Sequence, residues 1–408
     1  MAKIKIKNFG PIKNGLQNND GFIVINKVTI FIGNQGSGKS TIAKLISTLS
    51  WLEKAILKGQ VKINQISSLK KFIKYSEYQN IHEYFRENTL IEYRGDTLNF
   101  TLKNGEILIK IEKTDEFFLP KIMYVPSDRN LISAVRNVRN LKGLPGTLYT
   151  FSDEFLKAVS NIKGKIELPI NNVKYEFNKL NQLSYIIGED YKLRLSNSSS
   201  GFQSLVPLFI VSKHLSQSIG KNENIYKQTN VDYSLKDEDD LRKKIDLIMN
   251  NSNISDKLKM IYLERLSSID DYSSFLNIVE EPEQNLYPSS QRHILNELLK
   301  FNNIEENNKL IMTTHSPYLI NYITLAVKAY NIYKMANRLA DEIFKIVPLK
   351  SLLNGDKLSI YELDERDGSV NLLENYKGIP SDDNRLNVKL GEFNDLYASL
   401  LSLQQKIS

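Results

Sequence analysis

The chain has 408 residues, 41% hydrophobic and 25% charged, which is enough to bury one large core or two moderate ones. It contains no cysteine, which excludes disulfides and cysteine-held zinc. The 54 Lys and Arg against 47 Asp and Glu leave a net charge of +7, which suits contact with nucleic acid and equally a lysine-rich surface kept soluble by its charge.

The first ten residues alternate Lys and Ile, unlike a signal peptide. No run approaches the ~20 apolar residues that span a bilayer, so the expectation is a cytoplasmic protein with no membrane partner. Lys3-Ile4-Lys5-Ile6 has the period of two of a half-buried strand, and Phe22 to Ile32 is a mostly apolar, β-branched run that ends at a glycine. Gly33-Asn34-Gln35-Gly36-Ser37-Gly38-Lys39-Ser40 follows and fits G-x-x-x-x-G-K-[ST] at every position. Thr41 to Ile56 then carries Ile42, Leu45, Ile46, Leu49 and Leu52 at helical spacing. Strand, glycine loop and helix in that order make a phosphate cradle: glycines let backbone N–H groups turn inward, and the helix adds its positive end. Gly33, Asn34, Gly36, Ser37, Gly38 and Thr41 are its expected nucleotide-binding residues. Lys39 is expected to reach the β- and γ-phosphates of ATP, and the Ser40 hydroxyl to ligate Mg²⁺.

Leu98 to Ile111 reads as a hairpin around Asn104-Gly105, two residues that tolerate positive φ. Ile122 to Val125 is a short strand closed by Pro126. From Leu131 to about Lys165 the sequence turns helical and basic, with Arg129, Arg136, Arg139 and Lys142 close together. This cluster is either a DNA-contacting patch or a solvated helix face. Ser198-Ser199-Ser200-Gly201-Phe202-Gln203-Ser204 precedes the apolar run Leu205 to Val211, and is either a second anion-binding helix N-terminus or a plain cap. Residues 216–274 form a polar insert, in which Asp239 to Leu266 has helical spacing too short and irregular for a long coiled coil.

Phe275 to Val279 is a buried-type strand that delivers Glu280 and Glu281 to its end. Successive strand residues point to opposite faces, so one carboxylate can serve the magnesium shell and the other polarise a water. Gln291 to Phe301 reads as a helix and Lys309 to Thr314 as the next strand, leading to His315-Ser316-Pro317. There an imidazole reaches the same strand exits, whereas His82, His214 and His293 fall in expected helices. Asp356 to Leu373 reads as a hairpin around Arg366-Asp367-Gly368, and Glu392 to Leu403 as an amphipathic helix. Strands alternating with helices predict an α/β fold with antiparallel additions near the start.

Asn8-Phe9-Gly10-Pro11-Ile12-Lys13, Tyr124-Val125-Pro126-Ser127-Asp128-Arg129, Glu280-Glu281-Pro282-Glu283 and Thr314-His315-Ser316-Pro317, together with the P-loop, resemble the ABC-type ATPases of the SMC and OLD-like group. The resemblance spans most of the chain and is weakest in residues 51–120 and 216–274. It implies an α/β P-loop NTPase of ABC/SMC-head type: a central, mostly parallel sheet with an antiparallel β subdomain and a helical lobe. The expected divisions are an N-terminal ATPase half at 1–130, a helical signature lobe at 131–215, a helical insert at 216–274 and a C-terminal ATPase half at 275–408.

The same resemblance implies ATP and Mg²⁺ held between two head-to-tail copies, in a homodimer or higher homo-oligomer. Ser200, Gly201 and Gln203 match the signature loop and would touch the γ-phosphate in trans. Glu281 matches the catalytic base, His315 the switch histidine and Glu280 the metal-side acid, with Phe9 and Lys13 flanking the adenine. Three departures stand out. Glu280 replaces the usual Asp, the signature reads Ser-Ser-Ser-Gly-Phe-Gln, and no glutamine lies around Val125 to Arg129, where Ser127 or Asp128 are the candidate stand-ins. The chain also resembles the stand-alone ATPases of Septu, PARIS and retron-associated defence systems, which implies a separately encoded nuclease or toxin as partner. A DNA-binding maintenance ATPase is the alternative. A transporter's energy subunit is disfavoured by the missing glutamine, and a P-loop kinase would need neither the signature loop nor His315. After His315 no strand-borne Asp-x-Asp nuclease centre is found; Asp382-Asp383 sit in a Pro/Ser/Asn loop.

Overall fold

The computed structural model describes residues 1–112, 119–135, 138, 141–219, 259 and 272–405. In chain order the first strands are β1 (Lys3–Lys7), β2 (Gly15–Leu16), β3 (Ile23–Val24), β4 (Val28–Gly33), β5 (Leu90–Arg94), β6 (Leu98–Lys103), β7 (Glu106–Ile111) and β8 (Pro120–Val125). They continue as β9 (Lys165–Glu167), β10 (Lys174–Asn178), β11 (Leu183–Ile187), β12 (Lys192–Arg194), β13 (Ser274–Glu280) and β14 (Lys309–Thr314). The last are β15 (Leu358–Leu363), β16 (Ser369–Leu372), β17 (Asn375–Tyr376) and β18 (Ile379–Pro380). The helices are α1 (Lys39–Leu57), α2 (Leu69–Ser76), α3 (Asn130–Ala134), α4 (Gly146–Ser160), α5 (Ser200–Ser218), α6 (Pro288–Asn302), α7 (Pro317–Met335), α8 (Ala340–Ile346) and α9 (Arg385–Gln404).

The central sheet has the order β2-β16-β15-β4-β14-β13-β8, and its five strands from β15 to β8 run parallel. Because side chains alternate, each strand feeds two cores. Val28, Ile30 and Ile32 of β4, with Met123, Val125, Phe275, Val279, Leu310 and Met312, pack against α4 to α7. Phe31, Ile122, Tyr124, Leu276, Ile278 and Ile311 pack the other way, against α1, α2 and an antiparallel sheet of order β3-β1-β5-β6-β7. Coverage on both faces is what near-continuous apolar strands require. Among the described residues no helix is long and apolar enough to cross a membrane.

α1 is pinned to the antiparallel sheet by a buried carboxylate. Glu53 accepts hydrogen bonds from Tyr93 Oη (2.8 Å), Thr97 N (2.6 Å), Thr97 Oγ1 (3.1 Å) and Leu98 N (3.0 Å). The β6–β7 hairpin turns at Asn104 (φ 51°) and Gly105 (φ 78°), as its sequence predicts.

Two expectations change. The run Phe22 to Ile32 serves two sheets, because side chains around Asn26 take over the backbone. Asn26 Oδ1 accepts Lys27 N and Thr29 Oγ1 accepts Asn26 N, both at 2.9 Å, which ends one ladder before the next begins. The lobe expected to be helical carries, after α4, an antiparallel sheet of order β12-β11-β10-β9. Tyr175 and Ile186 face each other across it, both buried, and tie it to the core of α4 and α5. Asp239 to Leu266 lies outside the described residues apart from Lys259, as do Arg136 and Arg139.

Candidate functional site

Parallel strands bring their carboxyl ends to one edge, and the register shows which residues meet there. Thr314 pairs with Ile32, Gly33 with Leu363, Glu280 with Thr313, and Val125 with Val279. The loops leaving β4, β8, β13, β14 and β15 therefore converge, and with them Lys39, Ser127, Glu280, Glu281, His315 and Glu365.

The loop after β4 turns through Gly33 (φ 145°), Gly36 (φ 75°) and Gly38 (φ 101°). At Gly38 the requirement is also steric, since a Cβ would lie 2.5 Å from Ile12 Cδ1. Lys39 is buried and folds back to donate to the carbonyls of Gly33 (3.0 Å) and Asn34 (2.8 Å). Burial draws its pKa down to about 8, against the opposing pull of Glu281, Glu283, Glu365 and Glu280. The Ser37 hydroxyl is buried without a hydrogen-bond partner, so the loop holds a polar group awaiting one. Asn34 Nδ2 donates to Glu365 Oε1 at 3.2 Å. Ser40 and Thr41 open α1, the first half-buried and the second buried.

Glu280 is buried with both oxygens engaged: Tyr124 Oη donates to one at 2.6 Å and Ser127 N to the other at 3.2 Å. Glu281 turns the chain in the left-handed region (φ 42°) and places its partly exposed carboxylate 3.5 Å from His315 Nε2. Burial, and then the charge of Lys39, lower the His315 pKa, so the ring is neutral near pH 7. Glu283, the third acid of the run, carries no role expected from the sequence. Its Oε1 accepts Thr314 Oγ1 (2.6 Å) and His315 N (2.8 Å), which fixes the exit of β14, and burial raises its pKa.

Arg129 does not belong to the surface cluster expected with Arg136, Arg139 and Lys142. It is fully buried, and its guanidinium donates to the carbonyls of Pro126, Ser204, Glu280 and Glu281. It therefore offers DNA no surface. Phe9 is likewise buried, packed edge-on against Tyr84 and Phe85 with centroids 5.8 and 4.9 Å away, which removes it as an adenine platform. Lys13, expected beside it, is exposed. Of the signature residues, Ser200 is exposed at the start of α5. Gly201 sits where a Cβ would come within 2.8 Å of the Asn285 carbonyl. Gln203 Nε2 closes its own loop onto the carbonyls of Ser196 and Ser198, both at 3.0 Å.

Residues 275–321, which carry β13, the two carboxylates and His315, match the family model described as "AAA domain, putative AbiEii toxin, Type IV TA system". No curated protein matches the chain. Among solved structures, the chain is similar to the SMC head domain from Thermotoga maritima, at 11% identity over 92% of this chain and 98% of that one, with a TM-score of 0.36. It is also similar to an SMC head bound to the C-winged helix domain of ScpA, at 10% identity, 91% and 96% coverage and a TM-score of 0.38. A third is an ATP-binding cassette solved as a dimer in a post-hydrolysis state with ADP and Pi, at 12% identity, 92% and 100% coverage and a TM-score of 0.29.

Proposed function

We propose that the chain is a magnesium-dependent ATPase that closes on ATP as a head-to-tail pair of copies. The observation that carries this reading is the convergence at one sheet edge of the phosphate loop with Lys39, the held carboxylate Glu280, and the Glu281–His315 pair.

The donor set fits both groups. The orphaned Ser37 hydroxyl and the buried Lys39 ammonium gain acceptors when phosphate oxygens enter the loop, and Lys39 then leaves the two carbonyls it holds. Ser40 and Glu280 are hard oxygen donors of the kind magnesium takes alongside phosphate and water. Mg²⁺ held there would supply positive charge against the phosphates. Tyr124 and Ser127 keep Glu280 in one orientation. Glu281, on the more exposed side of the chain reversal, accepts the proton of the attacking water, while the neutral His315 ring keeps that carboxylate aimed. Ser200 and Gly201, at the open end of α5, meet the γ-phosphate bound by the second copy, with Gln203 bracing their loop.

The wording of the matched family, over residues 275–321, supports a toxin–antitoxin setting; we infer a cytoplasmic antiphage complex in which the paired heads control a separately encoded nuclease or toxin. In the DNA-binding alternative Arg129, being buried, is not a contact residue. Two variants test the ATPase. Lys39→Ala abolishes ATP binding, and Glu281→Gln retains ATP and shifts the light-scattering mass from one copy to two. Hydrolysis by Glu281→Gln at the wild-type rate would remove Glu281 as the base. Affinity purification from the native cell tests the partner: a stoichiometric nuclease or toxin supports the effector reading, and the chain alone or with DNA refutes it.

A further inference from the structure

We infer that Arg129 is a positioning residue that ties the signature loop at the start of α5 to Glu281, so that contact made at one is felt at the other. The inference rests on the ATPase reading above and adds to it the internal linkage for which the sequence offers no glutamine.

The geometry is a four-way clamp. Arg129 Nε donates to Ser204 O at 3.2 Å, Nη1 to Pro126 O at 3.2 Å and Glu280 O at 2.7 Å, and Nη2 to Glu281 O at 2.7 Å. These carbonyls come from three elements: the exit of β8, the first turn of α5 and the exit of β13. A guanidinium is a rigid planar fork, so one acceptor cannot shift without loading the others. One turn further on, Ser133 Oγ donates to Gln203 O at 2.8 Å, so two successive carbonyls of α5 are held by the same short segment. Ser127, in that segment, gives its N–H to Glu280 Oε2 at 3.2 Å. Glu281 is pinned on both sides, its N–H donating to Thr313 O at 2.9 Å and its carbonyl held by Arg129. Its left-handed backbone therefore cannot relax independently of the clamp. Segment 127–134 thus joins the turn that would meet a partner's nucleotide to the carboxylate that would act on the chain's own.

Keeping an arginine here is costly, since burial draws its pKa down to about 10 even with Glu283, Glu281 and Glu280 nearby. What the position uses is the fork, which reaches carbonyls of three elements at once.

The test uses the full chain with Arg129→Lys and Ser133→Ala. Lysine keeps the charge but not the fork. Three quantities are read: affinity for a fluorescent ATP analogue, kcat, and hydrogen exchange of residues 281–286 with and without ATP. For Arg129→Lys the expected result is ATP affinity within about twofold of wild type and kcat lower by about tenfold or more. ATP also no longer slows exchange at 281–286. Ser133→Ala shows the same pattern at about threefold. Wild-type kcat and exchange response in Arg129→Lys would overturn the inference, as would affinity and kcat falling together in proportion. If Arg129→Lys does not fold, Ser133→Ala decides alone, and a wild-type exchange response there overturns it. A wild-type chain that binds no ATP sinks both this inference and the ATPase reading. ATP binding and turnover by wild type, with unaltered variants, sinks only the clamp.

Discussion

Raising the pH is a direct probe of the phosphate loop, because Lys39 enters it with its charge already disfavoured. A drop from the ordinary 10.5 to about 8 corresponds to roughly 3 kcal/mol against the ammonium form, driven by burial. Phosphate oxygens reverse that penalty, so ATP binds the charged form and pays nothing extra below pH 8. Above it the free protein must first take up a proton, and affinity falls as pH rises through 8. From pH 7 to pH 9 the charged fraction in the free protein drops about tenfold, which is about 1.4 kcal/mol of binding free energy. Isothermal titration with ATP in EDTA reads this loss without magnesium, and repeating it in buffers of different ionisation enthalpy counts the proton taken up at pH 9. Lys39→Arg is the control, because a guanidinium does not titrate here and ionisation of ATP itself affects both proteins alike. Equal affinities for wild type at pH 7 and 9, or parallel slopes for wild type and Lys39→Arg, would refute the placement of this lysine against the phosphates.

Tyr124→Phe removes one of the two donors that orient Glu280. The magnesium concentration giving half-maximal hydrolysis should rise by about tenfold, and an unchanged magnesium dependence would take Glu280 out of the metal shell. Glu53→Ala strands the buried amides of Thr97 and Leu98 and leaves Tyr93 Oη with only its 3.4 Å contact to Ser50 Oγ. Urea melts should show a loss of about 3 kcal/mol, with ATP affinity unchanged, because α1 is held there at its far end from the loop.

The phosphate loop, the acidic strand end and His315 were legible in sequence because each is a contiguous string whose local structure dictates its geometry. The strands that carry them are short apolar runs, and parallel pairing alone brings their ends together. Arg129 was not legible. In a run containing Arg136, Arg139 and Lys142 it reads as surface, and three of its four acceptors lie 75 to 152 residues away along the chain. Glu283 was hidden for a similar reason: only the fold shows that Thr314 and the His315 amide need an acceptor there. The sheet β9–β12 left a signal, since Val173 to Phe177 alternates apolar and charged residues, but the helical text before it obscured the change of period. The break at Asn26 depends on two side chains capturing backbone groups, which apolar patterning does not register.

Among the described residues most with positive φ outside glycine are asparagines, a side chain that tolerates this backbone well; Glu281 is an exception at φ 42°. The left-handed conformation costs an ordinary L-residue about 1 kcal/mol relative to glycine. A carboxylate at this corner is therefore a poor choice for a chain selected only to fold. On the proposed role of Glu281 as the base, mutation toward Gly or Asn would give a tougher, idle protein, and selection for turnover would hold the glutamate in place. On that reading durability and work compete at this one residue, and a lineage released from the need to hydrolyse ATP should lose Glu281 early.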